Sequence, residues 1–275
     1  MNVYDAVSVF YKRYRGEKLI YGMSEEGRNL YAFFVGQHGK EGISQYALHA
    51  REWITSMLAL EHIRRGMDTG GMWVLPLTNP DGALLCNEGI ESVSPAYREQ
   101  LLQVNGGEDF SLWKANARCV DLNVNFPARW GTGKENVKTP APANYIGEKP
   151  LCAKESRALL EFTSLISPRY TLSYHTKGEE IYWRFHQPAA RARRDKKLAE
   201  ALSKSTGYPL KDAPNSAGGY KDWCVETLQI PAFTIEAGRD DFSHPLGFYA
   251  LPDLFEKNLD APNALAREMN FSTGV

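Results

Sequence analysis

The stretch "SQYALHAREWITSMLALEHI", Ser44 to Ile63, changes its periodicity in the middle. "SQYALH" has the pattern of a buried strand, and "REWITSMLALEHI" has apolar residues at helical spacing. A strand running straight into a helix is half of a β-α-β unit, so this stretch sets the fold class. It also sets the first chemistry. His49 falls at the carboxyl end of the strand and Glu52 on the first turn after it, the edge at which α/β sheets place ligands. An H-x-x-E pair across such a bend can bring an imidazole nitrogen and a carboxylate oxygen to one cation. Glu61 and His62 lie roughly 15 Å further along the helix axis. They cannot share an ion with Glu52 and are assigned to the helix surface.

The same alternation continues outward. "NLYAFFVG" precedes the stretch as a strand. "GMWVLPLTNPDG" follows it as a buried strand ending in an Asn-Pro-Asp-Gly turn. A helix near "CAKESRALLEFTSLI", a strand "YTLSYHT", a helix near "AARARRDKKLAEALSKSTG", a helix "GGYKDWCVETLQ", a strand "PAFTIEAG" and a closing helix from about Asp253 complete the chain. Continuous apolar strands separated by helices predict an α/β fold. The expectation is one domain over residues 1–275, with a central mixed, mostly parallel sheet flanked by helices. Residues 129–149, rich in Gly, Pro and Asn, read as a long surface loop, and such loops in compact domains are often functional.

Bulk properties narrow the classes. The 275 residues carry 32 basic and 33 acidic side chains, a formal net charge of −1. No global field therefore points to nucleic acid or an anionic membrane. The basic run beginning at Arg191 reads as the solvated face of a helix. No apolar run has the length of a membrane span. The N-terminus, "MNVYDAVSVFYKRYRG", has the pattern of an amphipathic helix rather than a signal peptide. Cys86, Cys119, Cys152 and Cys224 form no C-x-x-C pair and read as reduced thiols. These features favour the cytoplasm, with export after loss of a leader left open, and they specify no oligomeric state.

A catalytic zinc takes three protein ligands and keeps one position for water. The third ligand should come from another strand end. "YTLSYHTKGEE" offers His175, at the end of an apolar strand. His38, in a Gly-flanked turn, and His186 and His244, in polar loops, are poorer candidates. A base for the water is available in "IPAFTIEAGRDD", where Glu236 ends an apolar strand and Ala237 and Gly238 follow. Ending a buried strand on a carboxylate is costly unless the group is paired or functional. "RCVDLNVNF" supplies Asp121, read as the end of another short strand and suited to orient a ligand histidine. Asp121 could instead cap a turn, and Glu236 could instead pair with Arg239.

These residues resemble the zinc carboxypeptidase family, which includes carboxypeptidases A and B. The marks are "HAREW" from His49, "NPDG" from Asn79, "VDLNVNF" from Val120, "SYHT" from Ser173 and "FTIEAG" from Phe233, in family order over nearly the whole chain. The resemblance implies His49, Glu52 and His175 as ligands of one Zn2+, Glu236 as general base and proton shuttle, and Asp121 as the partner of the first histidine. Lys114, after Trp113, takes the place of the arginine that polarises the scissile carbonyl.

Three departures stand out. The family's N-R-N motif, which grips the substrate's terminal carboxylate, reads Asn123-Val124-Asn125 here. The position of the tyrosine that closes over substrate falls near Pro214. The position lining the side-chain pocket falls on Lys221. These departures, with "WKANARCVDLNVNF" and "SYHTKGEEIYW", resemble the bacterial γ-D-glutamyl-L-diamino acid endopeptidases. Those enzymes cut peptidoglycan stem peptides between D-glutamate and meso-diaminopimelate or lysine. The implied substrate is a muropeptide rich in carboxylates, bound with Asn123 and with Lys221, Arg129 and Lys177 as carboxylate readers. The alternatives are a carboxypeptidase that releases C-terminal residues and a non-catalytic muropeptide-binding module.

Overall fold

The computed structural model describes residues 1–39 and 41–272. Eight strands form one mixed sheet: β1 (Lys18–Met23), β2 (Asn29–Gly36), β3 (Glu41–Tyr46), β4 (Gly71–Leu75), β5 (Thr171–His175), β6 (Glu180–Tyr182), β7 (Leu210–Lys211) and β8 (Ala232–Glu236). Their order across the sheet is β1-β2-β4-β3-β5-β8-β6-β7. The central run β4-β3-β5-β8 is parallel, while β1, β2 and the β8–β6 pair supply the antiparallel joins. The sheet is the expected mixed one. No helix among the described residues is long and apolar enough to cross a membrane.

Strand alternation splits the core into two layers. Tyr31, Phe33 and Val35 of β2 face one side with Val74, Leu172, Tyr174, Phe233 and Ile235. Ala32 and Phe34 face the other with Trp73 and Leu75. Over the first face lie helices α1 (Val3–Arg13), α2 (Thr55–Arg65), α6 (Ala189–Thr206), α8 (Leu251–Asn258) and α9 (Ala261–Ser272). The second is covered by α3 (Pro80–Glu88), α4 (Pro95–Asn105), α5 (Lys154–Ile166) and the four-residue helix α7 (Tyr220–Trp223), which runs on into a π-helical turn at Cys224–Leu228. With Val3 and Val7 buried, α1 is the amphipathic helix the N-terminal pattern predicts. The four cysteines are free thiols; Cys119 and Cys224 are buried, and Cys86 and Cys152 partly so.

Four expectations change. Strand β3 stops at Tyr46, so His49 stands three residues beyond it, in the bend to a 3-10 turn at Ala50–Glu52. "NPDG" is a helix start and not a turn. Asn79 caps α3 by accepting from Gly82 N at 3.0 Å, and Pro80 sits at the first helical position, where its missing N–H costs nothing. Asp121 ends no strand, but lies in a loop and caps the 3-10 turn Leu122–Val124. His62 is not on the surface. It is 2% exposed because α2 is sandwiched between the sheet and α8. Its Nε2–H donates to Asn258 O at 3.0 Å, and its Nδ1 accepts from the Tyr46 hydroxyl at 2.5 Å. Burial holds its pKa down at about 4. Glu61, by contrast, is partly exposed and pairs with Arg64.

Candidate active site

The carboxyl ends of β3, β5 and β8 are neighbours in the sheet, and the chemistry collects there. His175 and Glu236 are the last residues of β5 and β8 and are paired across the two strands. The bend carrying His49 is laced to the segment beside it. Ala50 N donates to Lys114 O and Arg51 N to Trp113 O, and Asn79 Nδ2 donates to Leu48 O and Ala115 O. The "NPDG" cap therefore holds the metal bend and the Trp113–Lys114 segment in one frame.

His49, Glu52 and His175 are 6%, 2% and 1% exposed. His49 Nδ1 lies 2.9 Å from Glu52 Oε1, His175 Nδ1 lies 2.9 Å from Glu52 Oε2, and the two Nδ1 atoms are 3.1 Å apart. Two imidazole nitrogens this close to each other and to one carboxylate need a shared cation or proton between them. Tetrahedral zinc with bonds of about 2.0–2.1 Å separates its ligand atoms by roughly 3.3 Å. The donor set and the spacing fit a single zinc ion, and these residues form a candidate metal site.

The outer shell is equally built. His49 Nε2 faces Asp121 Oδ1 at 3.3 Å, which keeps the ring proton on Nε2 and turns the Nδ1 lone pair toward the site. Asp121 Oδ1 also accepts from Asn123 N, and Oδ2 accepts from Asn144 N at 2.9 Å and lies 3.7 Å from Lys114 Nζ. Turn capping and histidine orientation are thus one role of one carboxylate. Burial alone would raise the Asp121 pKa, but Lys114 and His49 hold it well below the usual carboxylate range. Burial would lower the His49 pKa, and the Glu52 and Asp121 charges outweigh it, to about 8. Burial first, and then the Glu52 charge, push Glu236 up to about 8. A bound dication would oppose that last effect. Arg239 pairs with Asp241, so Glu236 is not held by the structural ion pair it could have made.

A cleft of about 420 Å³ opens from His49, Lys114 and Asp121 along Asn123 and Val124. Its far walls are residues 133–136 of the long loop and residues 213–217. Of the expected substrate-side residues, Lys114 and Asn123 line this cleft. The three other carboxylate readers do not line this cleft. Lys221 is 6% exposed, its Nζ 2.5 Å from Asp222 Oδ1 and within reach of Arg184 O. Arg129 is paired with Glu226 at 2.8 Å, and Lys177 with Asp240 at 3.0 Å. Each cation is neutralised by a carboxylate close by in the fold. Sequence reasoning passed over Lys134, Glu135 and Asn144, and the only signal available for them was the length of their loop.

A family model described as zinc carboxypeptidase matches residues 15–259. Gamma-D-glutamyl-L-diamino acid endopeptidase 1 of Lysinibacillus sphaericus is 30% identical over 245 residues, covering 82% of this chain and 61% of that protein. Among solved structures, bovine thrombin-activatable fibrinolysis inhibitor in complex with tick carboxypeptidase inhibitor superposes with a TM-score of 0.78 at 16% identity, covering 99% and 98% of the two chains. The murein-tripeptide amidase MpaA from Escherichia coli O157 superposes with a TM-score of 0.59 at 22% identity, covering 92% and 93%.

Proposed function

This chain belongs to the zinc carboxypeptidase family, and on that premise we propose that it hydrolyses the amide bond between the γ-carboxyl of D-glutamate and the following diamino acid, meso-diaminopimelate or lysine, in peptidoglycan stem peptides. One observation carries the choice of an internal bond. Val124 lines the cleft where the family's exopeptidases carry the arginine that grips a terminal carboxylate. An isopropyl group cannot accept or donate a hydrogen bond, so a free C-terminus gains nothing there. The γ-D-glutamyl endopeptidase of Lysinibacillus sphaericus supports the substrate class; this chain spans 61% of that relative's length.

His49, Glu52 and His175 would hold a zinc ion, and bound there it would supply a Lewis acid to the water and the scissile carbonyl. The protein's own groups do the rest. Glu236 takes the proton from the attacking water at its carboxylate and delivers it to the departing amine nitrogen. Lys114 Nζ, anchored by Asp121, faces the oxygen that gains negative charge. Asp121 keeps the proton on His49 Nε2, so that the lone pair on Nδ1 stays free for a metal ion. Asn123, in the cleft wall beside Val124, offers an amide to the leaving-group side.

The test compares L-Ala-γ-D-Glu-meso-diaminopimelate with the same peptide amidated at its C-terminus. The endopeptidase reading expects kcat/KM to differ by less than about threefold, a fraction of one hydrogen bond's worth. An absolute need for the free terminus would instead make the protein an exopeptidase.

A further inference from the structure

We propose that Ser173 and Gln45 are positioning residues for His175: with its Nε2 they form a buried slot for one bridging water, which holds the ring with Nδ1 turned to the metal site. The inference rests on His175 as a zinc ligand and is independent of the substrate.

It starts from an oddity in the sheet. Strands in the parallel centre of a sheet, buried on both faces, are ordinarily near-continuous runs of apolar residues. Here the register sets Gln45 of β3 beside Ser173 of β5, and Ser173 beside Thr234 of β8. All three are buried. Alternation fixes the face they share. Tyr46, Leu172, Tyr174, Phe233 and Ile235 pack in one layer, and Ile43 and Ala232 pack in the other with Trp73 and Leu75. Gln45, Ser173 and Thr234 therefore point to the Trp73 layer and make a polar row across three parallel strands. Two residues further along the same face stand His175 and Glu236, themselves neighbours in register. Polar side chains buried in a sheet centre cost stability unless something satisfies them.

The row lies directly beneath a nitrogen that needs a partner. Gln45 Nε2, Ser173 Oγ and His175 Nε2 are buried and have no hydrogen-bond partner among the described residues. Thr78 Oγ1 lies 3.5 Å from Gln45 Oε1, so the donor end of the amide is the end left over. Neighbouring strands are about 4.8 Å apart, and two residues along a strand advance about 6.6 Å. One water joins polar atoms about 5.5 Å apart and is held by two to four partners. Placed among these three groups, it accepts from His175 Nε2–H and from Gln45 Nε2–H and donates to Ser173 Oγ.

The two histidines are then held by different means. A ligand imidazole is oriented through the nitrogen that does not bind the metal. His49, in a bend, has the Asp121 carboxylate at its Nε2. His175 ends a strand, and its Nδ1 lies 2.9 Å from Glu52 Oε2. No carboxylate among the described residues meets its Nε2. The polar row supplies that hold from inside the sheet, where backbone pairing keeps Gln45 and Ser173 in place.

The experiment compares Ser173→Thr with Ser173→Val, two side chains of one shape that differ by the hydroxyl. Zinc affinity is measured by competition with a chelator. The His175 imidazole N–H is followed in nitrogen-15 spectra of the zinc-loaded, histidine-labelled chain. Ser173→Thr should bind zinc within about threefold of the parent and Ser173→Val about tenfold more weakly, the low end of what an orienting partner contributes. Gln45→Met, which removes the amide donor, should weaken zinc binding by a similar factor. The His175 N–H should exchange slowly with solvent in the parent and in Ser173→Thr, and faster in Ser173→Val. A role in folding alone would shift Tm in Ser173→Val and leave both readouts at the level of Ser173→Thr. Equal zinc affinity in the two variants, or an unchanged His175 N–H in Ser173→Val, would overturn the inference. Should Ser173→Val fail to fold, Gln45→Met decides by the same two readouts. A parental chain that takes up no zinc would overturn the metal site as well, whereas zinc bound by the parent and equally by both variants overturns this inference alone.

Discussion

The two ends of the cleft are made differently. At the metal end four polar groups are buried and cross-linked: His49, Glu52, His175 and Asp121 are each within 3.3 Å of another of the four. At the loop end Lys134 and Glu135 are exposed and have no charged partner among the described residues. The contrast follows from what each end must do. Reacting groups lose rate when their geometry slackens, so they are held by the sheet and by a second layer of hydrogen bonds. The loop end lies outside the sheet, where no such framework holds its side chains.

The largest effects should come from breaking the metal end. His175→Ala or Glu52→Ala should lower zinc content, measured by atomic absorption, from about one ion per chain to near zero and abolish turnover. Glu236→Gln should retain the metal and lose about 10²–10⁴-fold in kcat. A parental rate in that variant would remove Glu236 from the mechanism. Lys114→Met should cost about 10²–10³-fold in kcat with little change in KM, as expected of a group that acts on charge present only in the transition state. Asp121→Asn should weaken zinc affinity about 10–100-fold, measured by competition with a chelator, because the histidine loses its orienting acceptor.

The smallest effect concerns the frame beneath the metal end. Glu155 Oε2 accepts from Asn116 Nδ2, and Asn116 Oδ1 accepts from Arg118 N and Val120 N, which shapes the segment leading to Asp121. Burial first, and then the nearby Asp81 and Glu25 carboxylates, raise the Glu155 pKa to about 8. A carboxyl raised in the fold contributes stability fully below its unfolded pKa, near 4.5, and loses it as pH climbs through 8. His62, lowered to about 4, has the opposite sign: its contribution is present above about pH 6.5 and is lost as pH falls through 4. Thermal unfolding between pH 5 and 9 should therefore show a falling Tm on the alkaline side that is flattened in Glu155→Gln. An unchanged slope would place the titrating group elsewhere.

Much of the metal end was legible in the sequence because its constraints are local and chemical. A histidine and a glutamate three apart after an apolar strand, and charged residues closing two other apolar strands, have few structural uses. The misreadings have physical causes of their own. Asp121 looked like a strand end because Cys119 and Val120 are apolar, yet those side chains are buried from a loop. His62 looked exposed because helical spacing gives faces but not how many of them are covered, and α8 arrives from some 190 residues later in the chain to cover it. Lys221 looked free because the carboxylate that takes it, Asp222, is its neighbour in sequence, a contact no periodicity predicts. Lys134 and Glu135 went unread because an irregular loop has no period, and only the fold of residues 129–149 onto 213–217 brings them to the cleft.

Mass spectrometry of the products from the defined tetrapeptide L-Ala-γ-D-Glu-meso-diaminopimelyl-D-Ala tests the central claim most directly. The account predicts L-Ala-D-Glu and diaminopimelyl-D-Ala, the cut lying at the γ-glutamyl amide. Release of D-Ala with L-Ala-γ-D-Glu-meso-diaminopimelate left whole would contradict it, and would return the chain to the exopeptidases of its family.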